Sequence, residues 1–224
     1  GNPLSYAFPA NTFTDIDAGD TLTLTASTLP AGILFNATTR TFSGTPKAPS
    51  VTPVTVTATD RFSLAVSDTF VLTITKAPLS VTADAKTKVY GAANPALTAT
   101  LTGFVNGETL STSGVTGAAS VTTSATEATG VGSATLSAAV GTLVSANYGF
   151  AAFTDGTLTI SQASSDLTLA NLAQTYNATP RPVSVASSPA GLSVAITYGG
   201  SLVVPVNAGS YAVAARLNEG GNYF

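Results

Sequence analysis

Val54-Thr55-Val56-Thr57-Ala58-Thr59 alternates aliphatic residues with threonines, and that period of two belongs to a β-strand with one buried face and one wet face. The pattern recurs on both sides. Leu22 and Leu24 alternate with Thr21, Thr23 and Thr25, while Phe70, Leu72 and Ile74 alternate with Thr69, Val71 and Thr73. Threonine suits a pleated surface through its β-branch, and its hydroxyl keeps the outer face hydrated without charge. Turn sequences punctuate these runs at Leu29-Pro30-Ala31-Gly32, Ser43-Gly44-Thr45-Pro46 and Val105-Asn106-Gly107-Glu108, the last with an Asn-Gly pair suited to a tight hairpin. Asp166 to Leu172 is the one stretch open to a helical reading. Its apolar residues fit alternation at least as well, so it too is expected to be a strand. The fold class expected is all-β, built as tandem β-sandwich modules.

The modularity follows from an internal repeat. Around Tyr90 the chain reads Tyr90-Gly91-Ala92-Ala93-Asn94-Pro95, continues to Asn147-Tyr148, and closes with Asp155-Gly156-Thr157-Leu158-Thr159-Ile160. Around Tyr176 it reads Tyr176-Asn177-Ala178-Thr179-Pro180 and continues to Asn222-Tyr223 and Phe224. A period of tens of residues made of β-type segments marks a modular array. Three modules are expected, at residues 1–76, 77–162 and 163–224. The third lacks a counterpart of the closing strand Gly156 to Ile160, whose Leu158 and Ile160 are expected to point into a core. That module is therefore expected to be the least stable of the three, with either a frayed end or an edge strand associated with a neighbouring chain. Short junctions, Lys76-Ala77-Pro78 and Gln162-Ala163-Ser164-Ser165, predict an elongated, semi-rigid rod with little contact between modules, stiffened at Pro78. The start at Gly1 without Met or signal segment predicts a piece of a longer polypeptide.

Composition narrows the function classes. Charged residues make up 8% of the 224 positions, with 8 basic against 11 acidic side chains and a net charge of -3. Nucleic acids and anionic membranes require clustered Lys and Arg, so neither is an expected partner. The uncharged stretches between Glu127 and Asp155 and between Arg181 and Arg216 are interrupted throughout by Ser, Thr, Gly, Asn or Pro, so no membrane span is expected. Cys, His, Met and Trp are all absent, which removes disulfides, thiol and imidazole chemistry and soft-metal ligation. A cysteine-free chain of small modules points away from small disulfide-stapled eukaryotic domains and toward the exterior of a bacterium.

Four motifs in order, Phe13 to Leu22, Leu34-Phe35-Asn36, Arg40 to Pro46, and Val56 to Asp60 with Ser67 to Phe70, make residues 1–76 resemble the dystroglycan-type cadherin-like domain of bacterial surface proteins. Residues 77–162 and 163–224 resemble the mostly-β, glycine-rich (MBG) adhesin repeat, through Lys88-Val89-Tyr90-Gly91, Asn147-Tyr148 and Asp155 to Ile160. The third module departs from that pattern at Asn177, which stands where the second has Gly91.

The principal candidate site is Asp15-x-Asp17-x-x-Asp20, together with Asp60 and Asp68. Closely spaced carboxylates on a loop supply oxygens to a hard cation; they also form solvated turns by accepting hydrogen bonds from nearby amides. Asp20 can equally follow the turn at Gly19. The resemblance implies calcium at these positions. Two carboxylates could instead serve a glycosidase as acid and base, but that needs a cleft with aromatic sugar platforms, and Trp is absent. No nucleophile elbow, phosphate loop or metal-binding His pair is present, so no enzyme activity is expected. Gly91, Gly130 and Gly132 read as turns or bulges. Tyr90, Tyr148, Tyr176, Tyr211 and Tyr223 recur at module positions and are expected as core or corner aromatics, and Lys86 and Lys88 could form an amide cross-link with a carboxamide.

The function expected is a stalk segment of a secreted or surface-anchored bacterial adhesin, monomeric and flanked by further modules. Two other readings stay open: a module that binds glycan or a host protein directly, and an accessory region of an extracellular hydrolase.

Overall fold

A computed structural model describes residues 1–16, 20–218 and 221–224. It contains seventeen β-strands and no helix among the described residues. The chain divides into two compact units. One comprises Gly1–Thr82, Ala99–Ser120 and Ala138–Thr154, the other Ala83–Thr98, Val121–Ser137 and Asp155–Phe224.

The first unit begins with β1 (Leu4–Ala7), β2 (Thr23–Ala26), β3 (Ile33–Asn36), β4 (Thr41–Gly44), β5 (Ser50–Thr59) and β6 (Ala65–Ile74). They form two three-stranded sheets, ordered β1-β4-β3 and β2-β5-β6. The alternation read from the sequence holds on β5: Val54, Val56 and Ala58 are buried, and the threonines between them face outward. Across the β5–β6 pair, Thr55 meets Thr69 and Thr57 meets Ser67, with hydroxyls 2.8 Å apart in both cases. These cross-strand hydroxyl pairs stabilise the outer face and keep it polar without charge. The inner faces bury Ile33, Phe42, Val54 and Val56, with Phe8, Phe35 and Phe70 packed around Phe42.

Turn chemistry decides where these strands end. Gly32, at φ 89°, closes the predicted turn after Pro30, with the Ile33 amide donating to the Pro30 carbonyl. Ser43-Gly44-Thr45-Pro46 departs from expectation. Gly44 is the last residue of β4, paired with both Leu4 and Ile33, so the chain turns only after it. Asn106 and Gly107 have φ of 57° and 73°, as a tight turn requires, but the expected hairpin does not form: the strands on either side, residues 99–102 and 120–122, pair elsewhere.

Within the same unit, β7 (Ala77–Ala83) is flanked by strands that follow β8 (Lys86–Val89), namely β9 (Ala99–Thr102) and, beyond β10 (Ser120–Thr122) and β11 (Gly132–Ala139), β12 (Tyr148–Thr154). Pro78 lies inside β7, opposite Gly149 of the parallel strand β12, and not in the expected linker. Tyr148 starts β12 and is 1% exposed. Its hydroxyl donates to Glu108 Oε2 at 2.6 Å and accepts from the Val105 amide at 3.1 Å. Burial pushes the Tyr148 hydroxyl pKa up, and the bond to Glu108 adds to the rise. An unfolded tyrosine ionises near 10, so this contribution to stability is complete below that pH and is lost as pH rises through the higher folded value. Tyr148→Phe is expected to flatten the alkaline limb of a stability–pH curve while lowering stability near neutrality by about 1 to 2 kcal/mol. An unchanged alkaline limb would show that Tyr148 does not control it.

In the second unit, β13 (Gly156–Ser161) lies between β11, to which it runs antiparallel, and β8, to which it runs parallel. Leu158 and Ile160 are buried, as expected. The remaining strands are β14 (Asp166–Ala170), β15 (Ser184–Ser188), β16 (Val194–Tyr198) and β17 (Val213–Leu217), which pair as β14-β15 and β16-β17. The stretch open to a helical reading is therefore β14. The end of the chain differs from the frayed expectation. Phe224 donates to the Ala163 carbonyl at 3.0 Å, and its own carbonyl accepts from Ser165, so Tyr223 pairs in parallel with Ala163. Tyr148 pairs with Ala77 in the same way in the first unit. The Asn-Tyr motif thus makes a parallel pairing in both repeats, at the start of β12 in one and as an isolated bridge in the other.

Candidate metal centre

β-pairing brings the acidic loop residues together. Thr23 is the partner of Thr59 in the β2–β5 ladder. Asp20, three positions before Thr23, and Asp60, one after Thr59, therefore meet at one end of that pair. Asp15 joins them from the loop that follows β1. One carboxylate oxygen from each of Asp15, Asp20 and Asp60 lies within 4.8 Å of the other two. Ligand oxygens bound to one calcium ion at about 2.4 Å are at most about 4.8 Å apart, so this spacing fits a shared cation.

The three carboxylates differ in what already holds them. Asp60 Oδ1 accepts from the amides of Phe62 and Leu64 at 2.8 Å, which organises the β5–β6 turn and fixes the side chain. That is the turn-forming role weighed from the sequence, and it orients the carboxylate within the group. Asp20 Oδ1 accepts from the Thr21 amide at 2.7 Å. The Asp20 side chain is 2% exposed, and its buried Oδ2 has no hydrogen-bond partner among the described residues. Arg61 Nε lies 3.6 Å from it, longer than a charge-assisted hydrogen bond. Burying a carboxylate oxygen without a hydrogen bond is costly unless a charge compensates it. Asp15 is exposed.

Two other sequence candidates remain. Asp17 lies outside the described residues. Asp68 sits opposite Val56 on β6, accepts from the Thr69 amide, and borders a cleft of about 350 Å³ with Tyr6, Phe8 and Phe13; it is not in the three-carboxylate group. Arg61 is the neighbour that sequence reading missed. Its position directly after Asp60, at the tip of a β-hairpin, was the available signal.

The remaining candidates resolve individually. Lys88 is buried, and its ammonium donates to the carbonyls of Thr126 at 2.6 Å and Ala92 at 3.1 Å, while Asn94 donates to the Ala125 carbonyl. Lysine and carboxamide thus both brace one loop through backbone carbonyls. Tyr148 is buried, and Tyr90 packs edge-on against Tyr223 at 5.4 Å. Tyr176 and Tyr211 depart from the core expectation: they are 62% and 42% exposed and border a cleft.

With this geometry in hand, comparison with known families identifies the modules. Residues 1–75 match the family described as Putative Ig domain, residues 79–159 that described as MBG domain (YGX type), and residues 165–224 that described as MBG domain. The chain carries an Ig-like domain followed by two MBG domains in tandem. The YGX label agrees with Tyr90-Gly91-Ala92, and the match of 165–224 to the other MBG family agrees with Asn177 in place of that glycine. No curated protein matches the chain. Ig-like and MBG domains are typical of extracellular or surface adhesins and are typically non-catalytic. No helix among the described residues is long and apolar enough to cross a membrane.

Proposed function

We propose that this chain is a spacer segment of a bacterial surface or secreted adhesin, and that its Ig-like domain is braced by calcium. The observation that carries the proposal is the three-carboxylate group, with a buried Asp20 oxygen that no hydrogen bond from the described residues satisfies. Asp15, Asp20 and Asp60 would supply carboxylate ligands, with Asp17 a further candidate from its spacing alone. Calcium takes six to eight oxygens, so backbone carbonyls or water complete the shell. A bound cation neutralises the mutual repulsion of the carboxylates and ties the loop after β1 to the β5–β6 hairpin.

The spacer reading is supported by the typical context of these domains and by outer faces that present hydroxyls. The chain alone, presented on beads, is expected to retain neither glycans nor host cells, with or without calcium. Saturable retention of a glycan or cell surface would replace the spacer reading with that of a binding module.

A further inference from the structure

Arg61 stands beside the three carboxylates without being a ligand, and its role rests on the calcium reading. Asp60 Oδ1 accepts from the amides of Phe62 and Leu64, which fixes the backbone of the hairpin tip that carries Arg61. From that tip the guanidinium reaches two neighbours. Nε lies 3.6 Å from Asp20 Oδ2, and Cζ lies 4.6 Å from the centre of the Phe62 ring. Both contacts favour a cation, one through a carboxylate and the other through an aromatic face.

The two partners are unequal. Asp20 Oδ2 is buried without a hydrogen-bond partner among the described residues, on a side chain 2% exposed, whereas the Arg61 side chain is 61% exposed. The carboxylate is therefore fixed, and the guanidinium has room to swing into solvent. At 3.6 Å the pair lacks a charge-assisted hydrogen bond, and an ion pair with one end in water is weak. Asp20 nonetheless needs a positive charge, because a buried carboxylate oxygen without a hydrogen bond is costly to leave uncompensated. A guanidinium meets that need only as a placeholder: it offers donors alone and keeps its proton, so it cannot enter a metal shell.

We infer that Arg61 is a tethered counter-ion that sets the affinity and the charge selectivity of the calcium site. In the cation-free domain it compensates Asp20, and it swings out when calcium enters. Calcium held by Asp20 Oδ2 at about 2.4 Å would stand at most about 6 Å from Nε if Arg61 did not move. Even in the dielectric of water, a single and a double charge at that separation repel enough to weaken binding about tenfold, and salt near 0.1 M brings this to about fourfold. The exposed pair is easily broken, so displacement is the favoured outcome, and its cost raises the calcium concentration at which the site fills. A monovalent ion brings no more charge than the guanidinium already supplies, so Arg61 also makes the site prefer a divalent one.

The test titrates calcium into the metal-stripped full chain and into its Arg61→Gln and Arg61→Lys variants, in about 0.01 M and about 0.15 M salt. Arg61→Gln is expected to bind calcium about three- to tenfold more tightly than the unaltered chain, with the gap narrowing in the higher salt, while Arg61→Lys, which keeps the charge, stays within about twofold. Melting adds a readout that a merely structural arginine would not move. Arg61→Gln is expected to melt below the unaltered chain in chelator, and level with it or above it in saturating calcium. Equal or weaker binding by Arg61→Gln, a gap that ignores salt, or Arg61→Lys behaving as Arg61→Gln overturns the inference. The calcium reading fails separately. Binding of the same strength by the unaltered chain and Arg61→Gln leaves that reading standing without the counter-ion. Binding by Arg61→Gln alone supports the counter-ion and removes calcium bracing from the unaltered chain, and binding by neither overturns both.

Discussion

Phe42→Ala is expected to destabilise the Ig-like domain by about 4 kcal/mol, the range for emptying a fully buried aromatic site. Phe42 is 1% exposed and lies between the rings of Phe35, at 4.6 Å, and Phe70, at 5.4 Å. Its strand β4 is the centre of its sheet, held by β1 and β3, so the backbone cannot collapse into the void without breaking one of those ladders. Rigid surroundings retain the cavity and put the cost toward the upper part of the range. Hydrogen exchange of the β5 amides reads this as opening about a thousandfold more frequent. A change below about tenfold would mean that Phe42 is not the keystone of this core.

Gly44→Ala is expected to cost as much by a different route. Gly44 has φ of 135°, where a residue with a Cβ is strained by about 1 to 3 kcal/mol. A Cβ there would also lie 2.0 Å from the Gly32 carbonyl oxygen, a backbone atom held by the turn that starts β3. The strands must separate to admit it, which adds about 1 to 3 kcal/mol. The two terms together predict a loss of about 4 kcal/mol in denaturant unfolding of the Ig-like domain, and a loss below about 1 kcal/mol would show that the β3–β4 pair is pliable.

Much of this architecture was legible in the sequence because its strands are amphipathic. Threonine alternation on β5 and β6 named both faces, whereas the repeated Asn-Tyr dipeptide showed the repeat but not the parallel pairing of Tyr148 with Ala77, because pairing direction is not encoded in a local pattern. The Ser43–Pro46 turn was misplaced because glycine serves a turn and a close strand crossing equally well, and only the approach to Gly32 separates the two. Asp20 looked like an ordinary residue after a turn. Its burial arises from the Thr23–Thr59 pairing, a contact between residues 36 apart that no local pattern encodes. The recurrence of Tyr176 and Tyr211 predicts core aromatics, but recurrence does not encode burial, and they are exposed.

Isothermal titration of the metal-stripped chain with calcium tests most directly the proposal that Asp15, Asp20 and Asp60 hold that ion. One saturable site per chain is expected, with an affinity in the submillimolar to millimolar range typical of extracellular modules. At about 10 mM calcium, mass action then adds about 1.5 to 3 kcal/mol to the Ig-like domain, and Asp20→Asn and Asp15→Ala should each abolish both heat and stabilisation. Heats indistinguishable from dilution, with identical melts in calcium and in chelator, would contradict the account.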